Sequence, residues 1–478
     1  MADGTGEGRL SSYFRVGVFT ALNILVNALT LGRVLWLEGR VRGGLFQNWA
    51  RRIRNRPQRF VQPATEAEIV TAVVSSQAVR AFGSGHSFNP GALAEETLLS
   101  LERYAGIVRK DLARGEVTFR AGTRVRDAVA LLLADGLAFA ALPSHDAQSL
   151  GGILSTDVHG TGRDWGFVSE HVVALRVVDG GGKPHDVTPS DALFRAAIGG
   201  IGAVGLITEV TVRAVKRFNV EQRVWLSTID DVEQGFERLH ASHDHVSLYL
   251  FPFSERCQVN TWDRSEAAQS TLGALREWLT ISLDALLAAW FGNALAYARL
   301  LPRLSSLAHG LKRGTDLVLE SNAAFNRTLY HLHEELEFTV PFEQTFSACR
   351  QFLSLYEELY ERGEALPYTL FEVRFTPAGK TRALIGPGRE RRCTWIDLVC
   401  NDSAGFTTYY RAAEQRMREI GARPHLGKWC ESFGPGDLRR LYGPDFDAFV
   451  ALARLHDPEG RFMNPFTSRV FGFTAKRA

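Results

Sequence analysis

Arg80-Ala-Phe-Gly-Ser-Gly-His-Ser-Phe-Asn89 is the stretch on which the fold turns. A β-rich run, 79–82, feeds a Gly-Ser-Gly turn, and a histidine follows at once. Glycines at 83 and 85 can take positive φ and turn their amides inward. Amides converging in one turn make an anion nest suited to a pyrophosphate. Ser84 and Ser87 add hydroxyl donors, and His86 sits beside whatever the phosphate carries. Gly-Ser-Gly also occurs in ordinary turns, so the rest of the chain has to decide. The reading is a dinucleotide cofactor that the histidine could hold covalently.

Three further stretches bear on that reading. Residues 142–162 combine small residues, hydroxyls and glycines over some twenty positions, and long loops of that kind are uncommon without a function. Phe371-Glu-Val-Arg-Phe375 sets Glu372 and Arg374 on one face of a strand. Such a pair is commonly a surface salt bridge; in a cleft it would bind a polyhydroxylated substrate. Arg423-Pro-His-Leu-Gly-Lys428 sets His425 and Lys428 three apart. A lysine near a substrate or cofactor oxygen steadies negative charge; the plain alternative is a solvent-facing loop. Gly200, Gly202 and Gly205 match G-x-G-x-x-G, but a helix-like run (191–197) precedes them and a β-rich run (206–215) follows. That reverses the order of a nicotinamide fingerprint. These glycines serve a tight helix-to-strand turn or a close approach to a cofactor.

The 478 residues suit two or three domains, and a formal net charge of +2 gives no footprint for nucleic acid. Five widely spaced cysteines without C-x-x-C exclude a disulfide framework or zinc site, and read as reduced thiols of a cytoplasm-facing body. His240, His243 and His245 cluster beside Asp244 and read as a solvated turn. Two segments are apolar. Residues 16–31 lack charge, with Asn23 and Asn27 one turn apart, and no small-x-small cleavage site follows. Extended to 37, the segment would have to accommodate Arg33. A basic run follows: Arg40, Arg42, Arg51, Arg52, Arg54, Arg56 and Arg59. The second segment, 278–298, carries only Asp284 as a charge. Together they suggest membrane association rather than full spanning, with the catalytic body in the cytoplasm. Without insertion the protein is cytoplasmic and both are buried helices.

Helices and strands alternate to about residue 215. Thr65 is a helix cap ahead of Glu66 and Glu68, and 125–135 is an amphipathic helix ended by Gly136. Beyond 216, strands at 246–251, 369–375 and 393–400 alternate with long helices. The fold class is α+β.

Gly83-Ser-Gly-His-Ser, Gly151-Gly-Ile-Leu-Ser-Thr, His159-Gly-Thr-Gly, Glu372-Val-Arg-Phe-Thr, Arg423-Pro-His-Leu-Gly-Lys and Asp457-Pro-Glu-Gly-Arg-Phe-Met-Asn occur in that order within residues 46–472. Together they resemble the sugar-1,4-lactone oxidases, the L-gulonolactone and D-arabinonolactone oxidases, among the vanillyl-alcohol-oxidase-type FAD flavoproteins. The resemblance implies a two-subdomain, PCMH-type FAD-binding domain and a substrate domain with a large antiparallel sheet and helices. The corresponding divisions are an apolar segment or membrane anchor at 1–45, the FAD-binding domain at 46–215, the substrate domain at 216–420 and a segment returning to the flavin at 421–478. It further implies FAD bound covalently through His86, with Ser149 near the isoalloxazine. Gly83, Ser84, Gly85, Ser87, Gly152, Thr156, His159, Gly160 and Ile207 are the other implied cofactor positions, and Glu372, Arg374, His425 and Lys428 the implied catalytic ones. The implied reaction takes a hydride from an alcohol of a sugar lactone or polyol to flavin N5, with O2 or another acceptor reoxidising the flavin. A lipid-linked or hydrophobic alcohol is the alternative substrate. Two departures stand out: Asp157-Val158 where relatives carry Gly or Ala then Thr, and Leu426 in place of an aromatic residue.

Overall fold

The structure is a computed structural model that describes residues 6–30, 38–312, 314–326, 331–402 and 405–473. After helix α1 (Gly6–Thr30), short strands β1 (Arg40–Arg42), β2 (Leu45–Gln47) and β3 (Arg54–Asn55) form a small sheet. Strands β4 (Arg59–Val61), β5 (Val79–Phe82) and β6 (Thr97–Ser100) form a parallel sheet with β6 central. Helix α2 (Glu66–Val74) crosses between β4 and β5. Its start is legible in sequence: Thr65 Oγ1 accepts from the Glu68 amide at 3.3 Å. The opening stretch is therefore strand β5 and the loop leaving it.

A second, antiparallel sheet runs β11-β10-β12-β8-β7, from β7 (Ile107–Asp111), β8 (Glu116–Arg120), β10 (Val172–Val178), β11 (Pro184–Val187) and β12 (Leu206–Arg213). Strands β9 (Leu137–Ala138) and β13 (Val215–Lys216) pair separately. Helix α3 (Val125–Ala134) ends before Gly136, whose φ is +70°. Residues 142–162 are not the surface loop that composition allows: they contain helix α4 (Leu150–Ser155), with Ile153 and Leu154 in the core. Helix α5 (Ala192–Ala197) leads through the glycine turn into β12.

The second half is one eight-stranded sheet in the order β17-β14-β16-β15-β19-β20-β18-β21. Its strands are β14 (Asn219–Thr228), β15 (His245–Leu250), β16 (Arg256–Ser265), β17 (Thr315–Glu320), β18 (His333–Pro341), β19 (Thr369–Thr376), β20 (Cys393–Asn401) and β21 (Arg423–Pro424). Period-two alternation divides its faces. Phe371, Val373, Phe375, Leu336, Phe338, Ile396 and Leu398 belong to the apolar core. They face helix α6 (Ile229–Ser242) and the helix Thr345–Glu361, with Phe236 4.9 Å from Phe375 and Phe338 4.5 Å from Phe352. The opposite face carries Glu335, Glu337, Glu372, Arg374 and Asp397. Register lines up Tyr249, Glu372, Asp397 and Glu337 across four strands.

The histidine cluster is not a solvated turn. His240 and His245 are buried, His245 Nδ1 lies 2.5 Å from Thr161 O, and His243 Nδ1 lies 2.6 Å from Asp263. All five cysteines are free and buried. Helix α1 packs on a continuous helical rod made of α7 (Gly273–Leu286), a π-helical turn (Leu287–Gly292) and α8 (Asn293–Tyr297). Gly17 is set so close to the Trp290 indole that a Cβ would stand 2.4 Å from it. Residues 31–37 of the extended apolar segment lie outside the described residues.

Arg80 ties three distant segments together beneath the opening loop. Its guanidinium donates to Gly91 O at 2.8 Å, Ile201 O at 2.5 Å and Phe462 O at 2.6 Å. Burial lowers its pKa to about 10, which leaves it charged at neutral pH. Arg80→Met would strand these carbonyls, and each buried unsatisfied group costs ~1–3 kcal/mol. We expect urea unfolding of the variant to show a loss of about 3 kcal/mol or more; a loss below ~1 kcal/mol would contradict the role given to Arg80.

Candidate active site

The loop after β5, the start of α4, the turn at 201–207 and residues 425–428 enclose one cleft of about 1270 Å³, counted to its open mouth. The two glycines of the opening loop are needed for different reasons. Gly85 has φ +62°, as the nest reading requires. Gly83 is not in the left-handed region; a Cβ there would stand 1.7 Å from Ser149 Oγ. Ser149 in turn caps α4, accepting from the Gly152 amide at 3.3 Å. Ser84 does not offer its hydroxyl to a ligand as expected. Its Oγ donates to Ala147 O at 2.5 Å and accepts from Arg124 at 3.0 Å, tying the loop to the segment before α4. His86 stacks on Trp49 at 5.4 Å and lies 5.0 Å from the His145 ring, and both histidines line the cleft.

At the other end Lys428 and Glu335 line the cleft and open onto the polar face of the large sheet. Lys428 Nζ pairs with Glu335 and lies 3.4 Å from Asp397 Oδ2 and 3.7 Å from Glu337 Oε2. Arg374 donates to Glu337 Oε1 at 2.8 Å and to Ser144 Oγ at 3.2 Å, with Asp397 at 3.7 Å and Glu372 at 4.0 Å. Tyr249 donates its hydroxyl to Glu372 at 3.1 Å. His333 meets Glu335 at 2.9 Å.

Four carboxylates thus surround two cations, and burial and neighbouring charge pull on their pKa values in opposite directions. Burial, reinforced by the charges of Glu335 and Glu337 and opposed by Lys428 and Arg374, raises the pKa of Asp397 well above the usual carboxylate range. Burial works in the same direction at Glu335, but Lys428 and His333 outweigh it and hold Glu335 at about 2. At Glu337 burial is outweighed by His159, Lys428 and Arg374, and its pKa falls well below the usual range. Burial also opposes the charge on Lys428, yet Asp397, Glu335 and Glu337 raise its pKa. His425 is pushed down to about 3 by burial and is neutral, its Nδ1 accepting from the Gly427 amide at 3.1 Å.

Of the residues expected from sequence, Gly83, Ser84, Gly85, His86, Ser87, Ser149, Gly152, Thr156, Ile207, His425 and Lys428 line the cleft. His159 and Gly160 do not. The His159 ring stacks on Trp395 at 3.7 Å and reaches Glu337 at 3.0 Å, so it helps hold that member of the carboxylate set. Gly160 is packed against Leu142 O, where a Cβ would stand 2.7 Å away. Glu372 and Arg374 lie behind the cleft wall, and Arg374 reaches it through Glu337 and Asp397. Residues 423–428 are not a solvent-facing loop: Arg423, His425 and Leu426 are buried. Asp157, one of the departures, is buried too, accepting from Ser169 at 2.8 Å and from Thr381. Sequence reasoning missed His145, Glu335, Glu337 and Asp397. The signal for two of them was the alternation His333-x-Glu335-x-Glu337.

The parallel sheet with its glycine loop, the second α/β layer and the broad antiparallel sheet define an FAD-dependent oxidoreductase. The fold is that of cholesterol oxidase from B. sterolicum, with a TM-score of 0.71 at 18% identity over 90% of this chain and 96% of that one. An FAD binding domain model matches residues 57–188. The D-arabinono-1,4-lactone oxidase model matches residues 210–470, and the chain belongs to that family. It is similar to L-gulono-1,4-lactone dehydrogenase of Mycobacterium tuberculosis, 26% identical over 90% of this chain and 99% of that one. It is also similar to L-gulonolactone oxidase of Bos taurus, 25% identical with the same two coverages. The protein is an FAD-linked oxidoreductase acting on CH–OH donors. The cleft fits that cofactor: a wall with no room for a Cβ at 83, a left-handed glycine at 85 and a charged end at Lys428.

Two outcomes follow. Gly83→Ala drives a methyl into Ser149 Oγ, so the variant should purify folded but without yellow colour. Gly83→Ala with Ser149→Gly should regain the colour, since Gly replaces a cap at a cost of only a few tenths of a kcal/mol. Asp397 has a folded pKa above its unfolded value. Its contribution to stability is therefore full below the unfolded pKa near 3.8 and is lost as pH rises through the folded value. Asp397→Asn removes that dependence. In melting curves it should gain on the wild type as pH rises, by ~1.4 kcal/mol for each unit by which the pKa is raised; a loss at alkaline pH would contradict the upward shift of Asp397.

Proposed function

We propose that this protein oxidises an alcohol group of a sugar 1,4-lactone or related polyol, with FAD held covalently through His86. The observation that carries the reading is the cleft itself. One end is lined by the Gly-Ser-Gly-His loop, and the other by Lys428 and Glu335, in contact with the buried acids and Arg374. A dense set of carboxylates and cations suits a polyhydroxylated substrate better than a hydrophobic alcohol. When bound, FAD supplies the acceptor for the hydride. Lys428, charged because its three acidic neighbours outweigh burial, steadies negative charge at the cleft end. A basic group at this end of the cleft takes the hydroxyl proton, while Glu335, held at about 2 by Lys428 and His333, stays ionised as the charge partner of Lys428. Arg374 and His159 hold Glu337 in place, and Tyr249 orients Glu372.

We assign residues 46–215 to flavin binding, 216–420 to the substrate sheet and 421–478 to a return segment that brings Lys428 to the cleft. Residues 1–45 form an attachment segment, with the catalytic body on the cytoplasmic side. The relatives named above include an oxidase and a dehydrogenase, and the reoxidising partner is O2 or another acceptor.

Acid-precipitated wild type should stay yellow and His86→Ala should lose its colour on precipitation; a colourless wild-type pellet contradicts the covalent link. Lys428→Met should lower kcat ~100-fold or more with the flavin still bound, as loss of a charge-stabilising group does. An unchanged kcat would remove Lys428 from the chemistry.

A further inference from the structure

Helix α1 is inside out. The residues it turns toward the body are largely polar: Ser12, Thr20, Asn23 and Asn27 are buried alongside Val16 and Phe19. Asn27 Nδ2 donates to Asn23 Oδ1 at 2.9 Å, and Ser12 Oγ donates to Asp402 O at 2.6 Å. The residues it turns outward are Phe14, Val18, Leu22, Leu25 and Leu29, the last 75% exposed. A helix in water has the reverse arrangement.

The rod made by α7, its π turn and α8 repeats the pattern. Leu275, Leu279, Leu283, Leu287 and Phe291, four apart, are all exposed. Asp284, beside this stripe, pairs with Lys312 at 3.4 Å. The two stripes meet where Phe14 and Tyr13 pack on Trp290, at 6.1 and 5.5 Å. Paired stripes of this size mark an interaction surface rather than scattered surface leucines.

Charge selects the partner. The Arg51 guanidinium lies 4.8 Å over the Phe19 ring, which places the β1–β3 sheet against α1. That sheet and its flanks expose Arg42, Arg54 and Arg56, and Arg40 and Arg15 lie close enough to Arg51 to act on its charge. A broad apolar face bordered by arginines complements an anionic lipid surface. A second copy joined by a two-fold axis would instead set arginines against arginines. Spanning would carry Ser12, Asn23 and Asn27 out of the protein and into hydrocarbon and would break the Arg15–Asp402 pair.

We propose that α1 and the α7–α8 rod form a monotopic platform that lies in the plane of one leaflet of an anionic bilayer, the basic β1–β3 sheet contacting its headgroups. The full-length protein should co-sediment with vesicles of phosphatidylcholine and phosphatidylglycerol, and at least tenfold less with phosphatidylcholine alone. Leu22→Glu with Leu279→Glu should abolish sedimentation, leaving flavin content and turnover unchanged because both side chains are exposed and neither lines the cleft. Arg42→Glu with Arg54→Glu and Arg56→Glu, or high salt, should remove the preference for the anionic vesicles. The proposal is overturned if wild type stays in the supernatant of the anionic vesicles, or if the two-leucine variant still sediments. It is equally overturned if light scattering shows a detergent-free dimer that the two-leucine variant splits, since a second copy would then cover the face.

Discussion

A lysine ammonium buried in a protein must be answered by carboxylates, and at Lys428 that demand connects the whole structure. The residue arrives on the C-terminal segment, yet its partners stand on β18 and β20. The His425 amide donates to Glu337 O at 2.9 Å and the Trp429 amide to Glu335 O at 2.9 Å, which pins the segment to the sheet edge. Asn89, three residues beyond His86, donates to Leu426 O at 2.6 Å and Lys428 O at 2.8 Å. The cofactor loop and the charged end of the cleft are thereby fixed to each other.

The carboxylate set is costly to assemble. Three acids in register across adjacent strands repel one another, and burial adds to the penalty. The structure answers with Arg374 and Lys428, and the pKa of Asp397 is raised. Polar groups held this way are pre-oriented before substrate arrives, which is how buried charge contributes to catalysis.

Much of this was legible in the sequence where the signal is local. The strand–glycine–histidine order, the Thr65 cap and the Glu372-x-Arg374 alternation each depend on residues a few positions apart, whereas the return of Lys428 was implied by the family resemblance. The non-local parts were not legible. Gly83 is required by Ser149, sixty-six positions on, not by its own φ. Asp397 sits in the otherwise apolar run Trp395-Ile-Asp-Leu-Val399, and only strand register sets it between Glu372 and Glu337. His159 follows the glycine-rich stretch and so resembles a cofactor ligand, but its backbone turns the ring toward Trp395 and Glu337. The spacing of Asn23 and Asn27 revealed a polar face on α1, while its inward direction emerged only from packing.

The central claim is that the cleft brings a bound flavin and a polyhydroxylated alcohol together at Lys428 and its acids. Anaerobic titration of the purified protein with a panel of aldono-1,4-lactones, alditols and hydrophobic alcohols, watching the flavin absorption, tests it most directly. The account predicts stoichiometric bleaching by at least one lactone or alditol, reversed on admitting oxygen or another acceptor, and none by hydrophobic alcohols. Bleaching by hydrophobic alcohols alone, or by none of the panel, would contradict it.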